Sequence, residues 1–280
     1  MFELWRELSL PELGFLRCAL LLGVAAAPVL GVIGTMVVTR RISSLAGASA
    51  HAALGGVGLA LYLQRVLMWS FCTAELGAVA GALTAAMVVG VVSLNASERE
   101  DTVIGVVWAF GMALGLLFLD RTPGYVDWQG YLFGNILLLS PTELYLTLAL
   151  DAVVLLPLIL CYNRLLAVSF DATFAQLRGV RATAVYLVLL ALTALTIVLL
   201  MNVVGIILVI AMLTLPAAIS GFFTRHLWSM MVLSGVLSMV FIVAGLLLSY
   251  FCHVPSGPAI VVLAGTVYLS ILTFFRRRRS

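Results

Sequence analysis

The sequence predicts an all-α polytopic membrane protein, and three observations carry that prediction. Of its 280 residues 64% are apolar and only 10% charged, with a mean hydropathy of +1.21. A soluble domain of this size needs far more polar surface to cover its core. Apolar runs recur at roughly 20 residues, the length that crosses a hydrocarbon layer ~30 Å thick. Short polar breaks separate these runs and hold most of the charge, which describes one membrane domain over residues 1–280.

In chain order, residues 1–14 (MFELWRELSLPELG) mix Leu4, Trp5 and Leu8 with Glu3, Arg6 and Glu7, a pattern that suits a short interfacial helix. The next run is too long for a signal-peptide core and passes Ala25–Ala27 without a polar break, so it reads as a retained span. Apolar runs cover 15–38, 47–66, 71–94, 102–119, 142–162, 183–203, 204–223, 227–250 and 257–275, nine candidate spans. Only Asn202 and Gly205 separate the sixth from the seventh, so either could be short, tilted or broken. Residues 128–140 are too short to span and read as re-entrant or interfacial.

Arginine placement sets the orientation. With the C-terminus inside, the inner breaks hold Arg40, Arg41, Arg99, Arg164, Arg178, Arg181, Arg225 and Arg276–Arg279, against Arg6, Arg17, Arg65 and Arg121 outside. Nine spans then put the N-terminus outside; eight would move it inside and reassign the early loops. The terminal arginines anchor the last helix at anionic lipid, and a nucleic-acid role has no support. The longest polar interruption, 163–182, lies on the arginine-rich side, with Phe170, Phe174 and Leu177 roughly on one face. Such an amphipathic loop rests on lipid headgroups or docks in a groove of a cytoplasmic partner, and composition favours lipid.

Several chemistries are excluded. All 15 basic residues are arginine, so the phosphate-binding lysine of a Walker A loop is missing and any ATP chemistry belongs to another chain. Cys18, Cys72, Cys161 and Cys252 are far apart and read as small buried hydrophobes. No H-E-x-x-H or G-x-S-x-G stretch occurs, which leaves an intramembrane enzyme little support. His226 and His253 fall in short loops and read as solvated. Pro216 frees the carbonyl of Met212 and predicts a kink.

Three side chains remain as candidates for chemistry inside the membrane. In a helix over 49–66, Gly47, His51, Gly55 and Gly58 fall at steps of four, four and three and share one face. Glycines there admit another backbone, and the imidazole is the polar group in the contact; it is either a structural hydrogen-bond donor or a metal ligand. Asp151, well inside its run, must face a cavity, pair with a cation or be protonated, and serves either transport or helix adhesion. Glu75 sits near the outer mouth of its span and could line an access path.

The order of motifs resembles the permease subunits of bacterial ABC importers for zinc, manganese and iron. Arg41-Ile-Ser-Ser-Leu-Ala-Gly-Ala-Ser-Ala-His51 with Leu54-Gly-Gly-Val57 resembles the family's R-x-S-x-x-G-D-x-x-x-H-x-x-L-P-G-V stretch. Glu100-Asp-Thr-Val-Ile-Gly105 is similar to its E-D-T-x-I-G turn, and Tyr131-Leu-Phe-Gly-Asn-Ile-Leu137 to Y-L-F-G-[DN]-I-L. Phe170-Asp171 with Ala175 and Gly179 resembles the F-D-x-x-x-A-x-x-x-G coupling loop, and Val204-Gly-Ile-Ile-Leu-Val209 with Leu215-Pro-Ala-Ala218 a further span of the family.

The resemblance implies a type II importer permease of eight spans in the bacterial cytoplasmic membrane. Its assembly holds a cytoplasmic ATPase, an extracytoplasmic metal-binding protein and a second permease chain. No permanent cofactor is implied; the transported ion is Zn2+ or Mn2+. Loop 163–182, through Phe170, Asp171, Phe174, Ala175, Leu177 and Gly179, becomes the ATPase docking element in place of a lipid-bound one. His51 becomes the metal contact. The family's aspartate four residues before the histidine is Gly47 here, and its proline is Gly55. Either a nitrogen-based site favours zinc, or a carboxylate comes from Asp151, Glu75 or the second chain. An importer of cobalamin or a metal chelate is the alternative cargo reading.

Overall fold

The computed structural model describes residues 14–95, 100–124, 126, 128–134 and 141–277. The helices are α1 (Gly14–Thr39), α2 (Ser43–Arg65), α3 (Ala74–Asn95), α4 (Glu100–Arg121), α5 (Trp128–Phe133) and α6 (Pro141–Leu160), followed by α7 (Tyr162–Phe170), α8 (Ala172–Leu177), α9 (Ala182–Val204), α10 (Ile206–Phe223), α11 (Leu227–Cys252) and α12 (Ser256–Arg277). The expected interfacial helix at 1–14 lies, but for Gly14, outside the described residues, as do 135–140 of the short apolar segment.

Eight helices, α1–α4 and α9–α12, are each long and apolar enough to cross a membrane. The remaining apolar run, 142–162, becomes α6, which meets α7 at a bend of 67°. Gly205 alone separates α9 from α10, and its φ of 83° is a conformation that only glycine adopts without strain. Pro216 lies inside one continuous α10, where the Ser220 hydroxyl donates to the Pro216 carbonyl at 2.7 Å.

Two groups of helices share the core. Helix α2, the most buried span, packs between α3 and α4, while α1 packs against α11, α10 and α6; α9 joins the groups through α3, α2 and α6. Leu45 and Leu54 of α2, Ile33 and Met36 of α1, and Leu190 and Ile197 of α9 are buried in one continuous cluster. Lipid tails are as apolar as leucine, so helix association here depends on close van der Waals fit rather than on escape from water. Glycines provide that fit. A Cβ added at Gly55 would come within 2.5 Å of the Gly111 carbonyl oxygen, and Gly58 abuts Gly115 in the same way. On the neighbouring face of α2, Gly56 lies against Gly77 of α3.

Contacts between helix ends sort the loops into two sets. At one end the Arg40 guanidinium donates to the Val168 carbonyl at 2.6 Å, the Tyr186 and Ser93 hydroxyls meet at 3.4 Å, and Thr39 reaches Met230. The Phe222 and Phe275 rings stack there at 5.3 Å, between the last turns of α10 and α12. At the other end Arg65 donates to the Pro123 carbonyl at 3.1 Å, and Gly134 lies against Val204. The first end carries Arg40, Arg41, Arg164, Arg178, Arg181 and Arg225, and the second Arg65 and Arg121, the partition the sequence predicts.

The cysteines differ from expectation. All four are free, but none is buried: Cys18, Cys72 and Cys161 are half-buried and Cys252 is exposed. They sit at helix ends and bends, where the core does not close around them.

Replacing Gly55 with leucine forces a side chain into the Gly111 backbone and is expected to destabilise by ~1–3 kcal/mol or more. Gly105→Ala, where nothing lies within 4 Å of the added carbon, is expected to be neutral or slightly stabilising. Thermal unfolding of both variants in detergent checks the contrast.

Candidate functional site

Helix α2 starts at Ser43, after a turn in which Arg41 adopts a left-handed φ of 58°. The Gly47–His51–Gly55–Gly58 face predicted from spacing lies against α4, the helix that also supplies Gly111 and Gly115. His51 is half-buried and stacks on the Trp108 indole, with ring centroids 4.8 Å apart and planes 23° from parallel. Its Nδ1 is buried without a hydrogen-bond partner among the described residues. A lone pair or N–H in that position gains from any polar visitor, because an unmet buried polar atom is costly.

Trp108 also occupies the space beside Gly47. A Cβ at Gly47 would lie 2.5 Å from Trp108 Cζ3 and 2.7 Å from Cη2. The indole therefore stands where a carboxylate at position 47 would project. The site offers one imidazole nitrogen beneath an aromatic wall, with no acid supplied by its own helix.

The other two candidate ligands lie elsewhere. Asp151, 9% exposed, lines a narrow cleft between α1, α6 and α9 with Val29, Thr147 and Thr196. Glu75 is exposed in the first turn of α3. Among the described residues no three His, Cys, Asp or Glu side chains are grouped to hold a metal ion. His226 and His253 are exposed, and His253 Nδ1 pairs with the Tyr250 carbonyl at 3.0 Å.

At the arginine-rich end, segment 162–182 folds as α7 and α8 with a closed stop at each end of α8. Asp171 is the N-cap, accepting from the Phe174 backbone N–H at 2.8 Å. Gly179, at φ 80°, ends the helix: its N–H donates to the Gln176 carbonyl at 2.9 Å, and that of Val180 to the Ala175 carbonyl at 3.0 Å. This is a Schellman turn, which favours glycine at the left-handed position. Ala175 is buried against Val168 and Ala182, whereas Phe170, Phe174 and Leu177 are 72%, 52% and 83% exposed. The capped helix thus holds an apolar face outward.

Sequence reasoning missed two residues. Arg40 reads only as an inner charge, yet it binds the Val168 carbonyl and lies 5.1 Å from the Tyr186 ring, joining the α1–α2 turn to α7 and α9. Trp108 gives no signal in sequence, because its role depends on which helix faces α2.

Comparison with known proteins identifies the family. A model of the ABC 3 transport family matches residues 12–275. The chain belongs to the ABC 3 transport family. A probable metal transport system membrane protein of Chlamydia pneumoniae is 38% identical over 88% of this chain and 84% of its own. The manganese import system permease protein ScaB of Streptococcus parasanguinis is 32% identical, over 95% and 92% respectively. A chain of PsaBC from Streptococcus pneumoniae, solved in complex with a Fab, superposes with a TM-score of 0.82 at 30% identity, covering 96% of this chain and 94% of that one.

Removing either stop of α8 should loosen it. Asp171→Ala is expected to cost ~1 kcal/mol, and Gly179→Ala ~1–2 kcal/mol. Amide hydrogen exchange over residues 172–180 should quicken about fivefold or more in each, with the spanning helices unchanged.

Proposed function

We propose that this chain is the permease subunit of an ATP-driven importer for a divalent transition-metal ion in a bacterial cytoplasmic membrane, working by alternating access. The unpartnered, buried Nδ1 of His51 on the glycine face of α2 is the observation that carries the reading. Imidazole binds first-row metals, and one nitrogen gives the weak contact that transport needs, since a tight site would not release its ion. The ion is delivered by an extracytoplasmic binding protein. Hydrolysis belongs to a partner ATPase, as a chain without lysine has no Walker A loop of its own.

The exposed Phe170, Phe174 and Leu177 receive the ATPase, and Asp171, Ala175 and Gly179 shape the helix that presents them. From there the Arg40–Val168 contact leads directly to the turn that starts α2. A push on α7–α8 is thereby delivered to the helix that carries His51. Helix α4 leaves most of its surface outside the bundle, including Val106, Phe110 and Leu117, and would face a second permease chain that completes the ion's coordination. Asp151 and Glu75 remain candidates for other points on the route, Glu75 at its outer mouth.

Manganese is the first reading of the cargo, from the relatives named for it. Zinc is the second, favoured by Trp108 standing where an oxygen ligand at position 47 would project, because manganese prefers oxygen donors.

His51→Ala is expected to abolish metal uptake by the assembled complex in vesicles, and wild-type uptake in that variant would remove His51 from the route. Phe174→Ala with Leu177→Ala is expected to leave ATP hydrolysis by the partner unlinked from transport, measured as ions moved per ATP. Gly47→Asp alone should be obstructed by the indole. Gly47→Asp combined with Trp108→Ala should raise manganese uptake relative to zinc, as competition between the two ions would record.

A further inference from the structure

We propose that the groove between α6, α7 and α9 at the arginine-rich end binds one anionic phospholipid, with its phosphate among Arg164, Arg178 and Arg181 and an acyl chain along Val188 and Leu192. The groove these residues line encloses ≈ 640 Å³. Among the described residues no acidic side chain lines it. Three exposed arginines line this one hollow, and an anion between them would offset the repulsion of like charges. Arg178 is held in place, with its guanidinium 5.3 Å from the Phe174 ring and its backbone in the turn that closes α8.

Below the arginines the wall becomes apolar. Ala184, Val188 and Leu192 follow at steps of four along one face of α9, opposite Pro157 of α6. Eight residues of helix descend ~12 Å, so the groove runs from headgroup level into the hydrocarbon. A free inorganic anion would fill only its mouth. A docking protein would have to follow the groove below the membrane surface. A phospholipid has both parts, and three uncompensated positive charges select an anionic headgroup over a zwitterionic one. The site depends on no assignment of cargo. It ties the docking segment to α9, the helix that contacts both halves of the bundle.

The test uses the full chain, purified in detergent, stripped of lipid and titrated with phosphatidylglycerol or phosphatidylcholine, with bound lipid counted by native mass spectrometry. The wild type is expected to retain one phosphatidylglycerol, with a preference of about tenfold or more over phosphatidylcholine. Arg164→Gln with Arg181→Gln should abolish that preference, and Leu192→Trp should reduce retention with the charges intact. An equal loss in Arg225→Gln, an arginine at the same end that does not line the groove, would reduce the effect to general surface charge and overturn the proposal. Full displacement by equimolar inorganic phosphate would make the site one for a free anion, and stoichiometric release on adding the ATPase would give the groove to that protein; either result refutes it.

Discussion

Close approach of helix backbones is the constraint on which this structure depends. In a bilayer no hydrophobic gain draws one apolar helix to another, so α2 is held between α3 and α4 by contact at atomic range. Side chains at Gly55, Gly56 and Gly58 would push the partners apart, and with them the wall behind His51. The same contact creates the unusual environment of the imidazole. A helix wide enough to keep its neighbours at ordinary distance would leave Nδ1 in reach of lipid or of a carbonyl, and not alone beneath an indole.

What was legible in the sequence follows from what periodicity can encode. Spacing places Gly47, His51, Gly55 and Gly58 on one stripe, and the structure presents that stripe to a single partner. Spacing cannot name the partner, so Trp108 and its occupation of the room beside Gly47 had to come from tertiary packing. In segment 170–179 the spacing of Phe170, Phe174 and Leu177 makes the helix legible, while the roles of Asp171 as cap and Gly179 as stop come from the structure. Arg40 is the opposite case. Its acceptor is the carbonyl of Val168, a backbone group identical in every residue, which leaves no trace in the sequence.

The carboxylates illustrate a further limit. Asp151 is conspicuous because an acid inside an apolar run is expensive, and it is indeed buried. Cost alone does not say which cleft a residue faces. Helix α6 turns it toward α1 and α9 rather than toward α2, so composition finds the residue and only topology separates it from His51. The apolar run at 142–162 is ambiguous for a related reason: its continuation bends by 67° where α6 gives way to α7, a break that hydropathy averages over.

Helix α8 has only six residues, too few to be stable in isolation. Its caps and the small core around Ala175 nevertheless give it a fixed shape before anything arrives. A partner bound there would therefore meet a finished surface and lose little affinity to ordering it. Rigidity of that kind lets an association be brief and still transmit force, since a stiff lever passes on displacement that a floppy one would absorb.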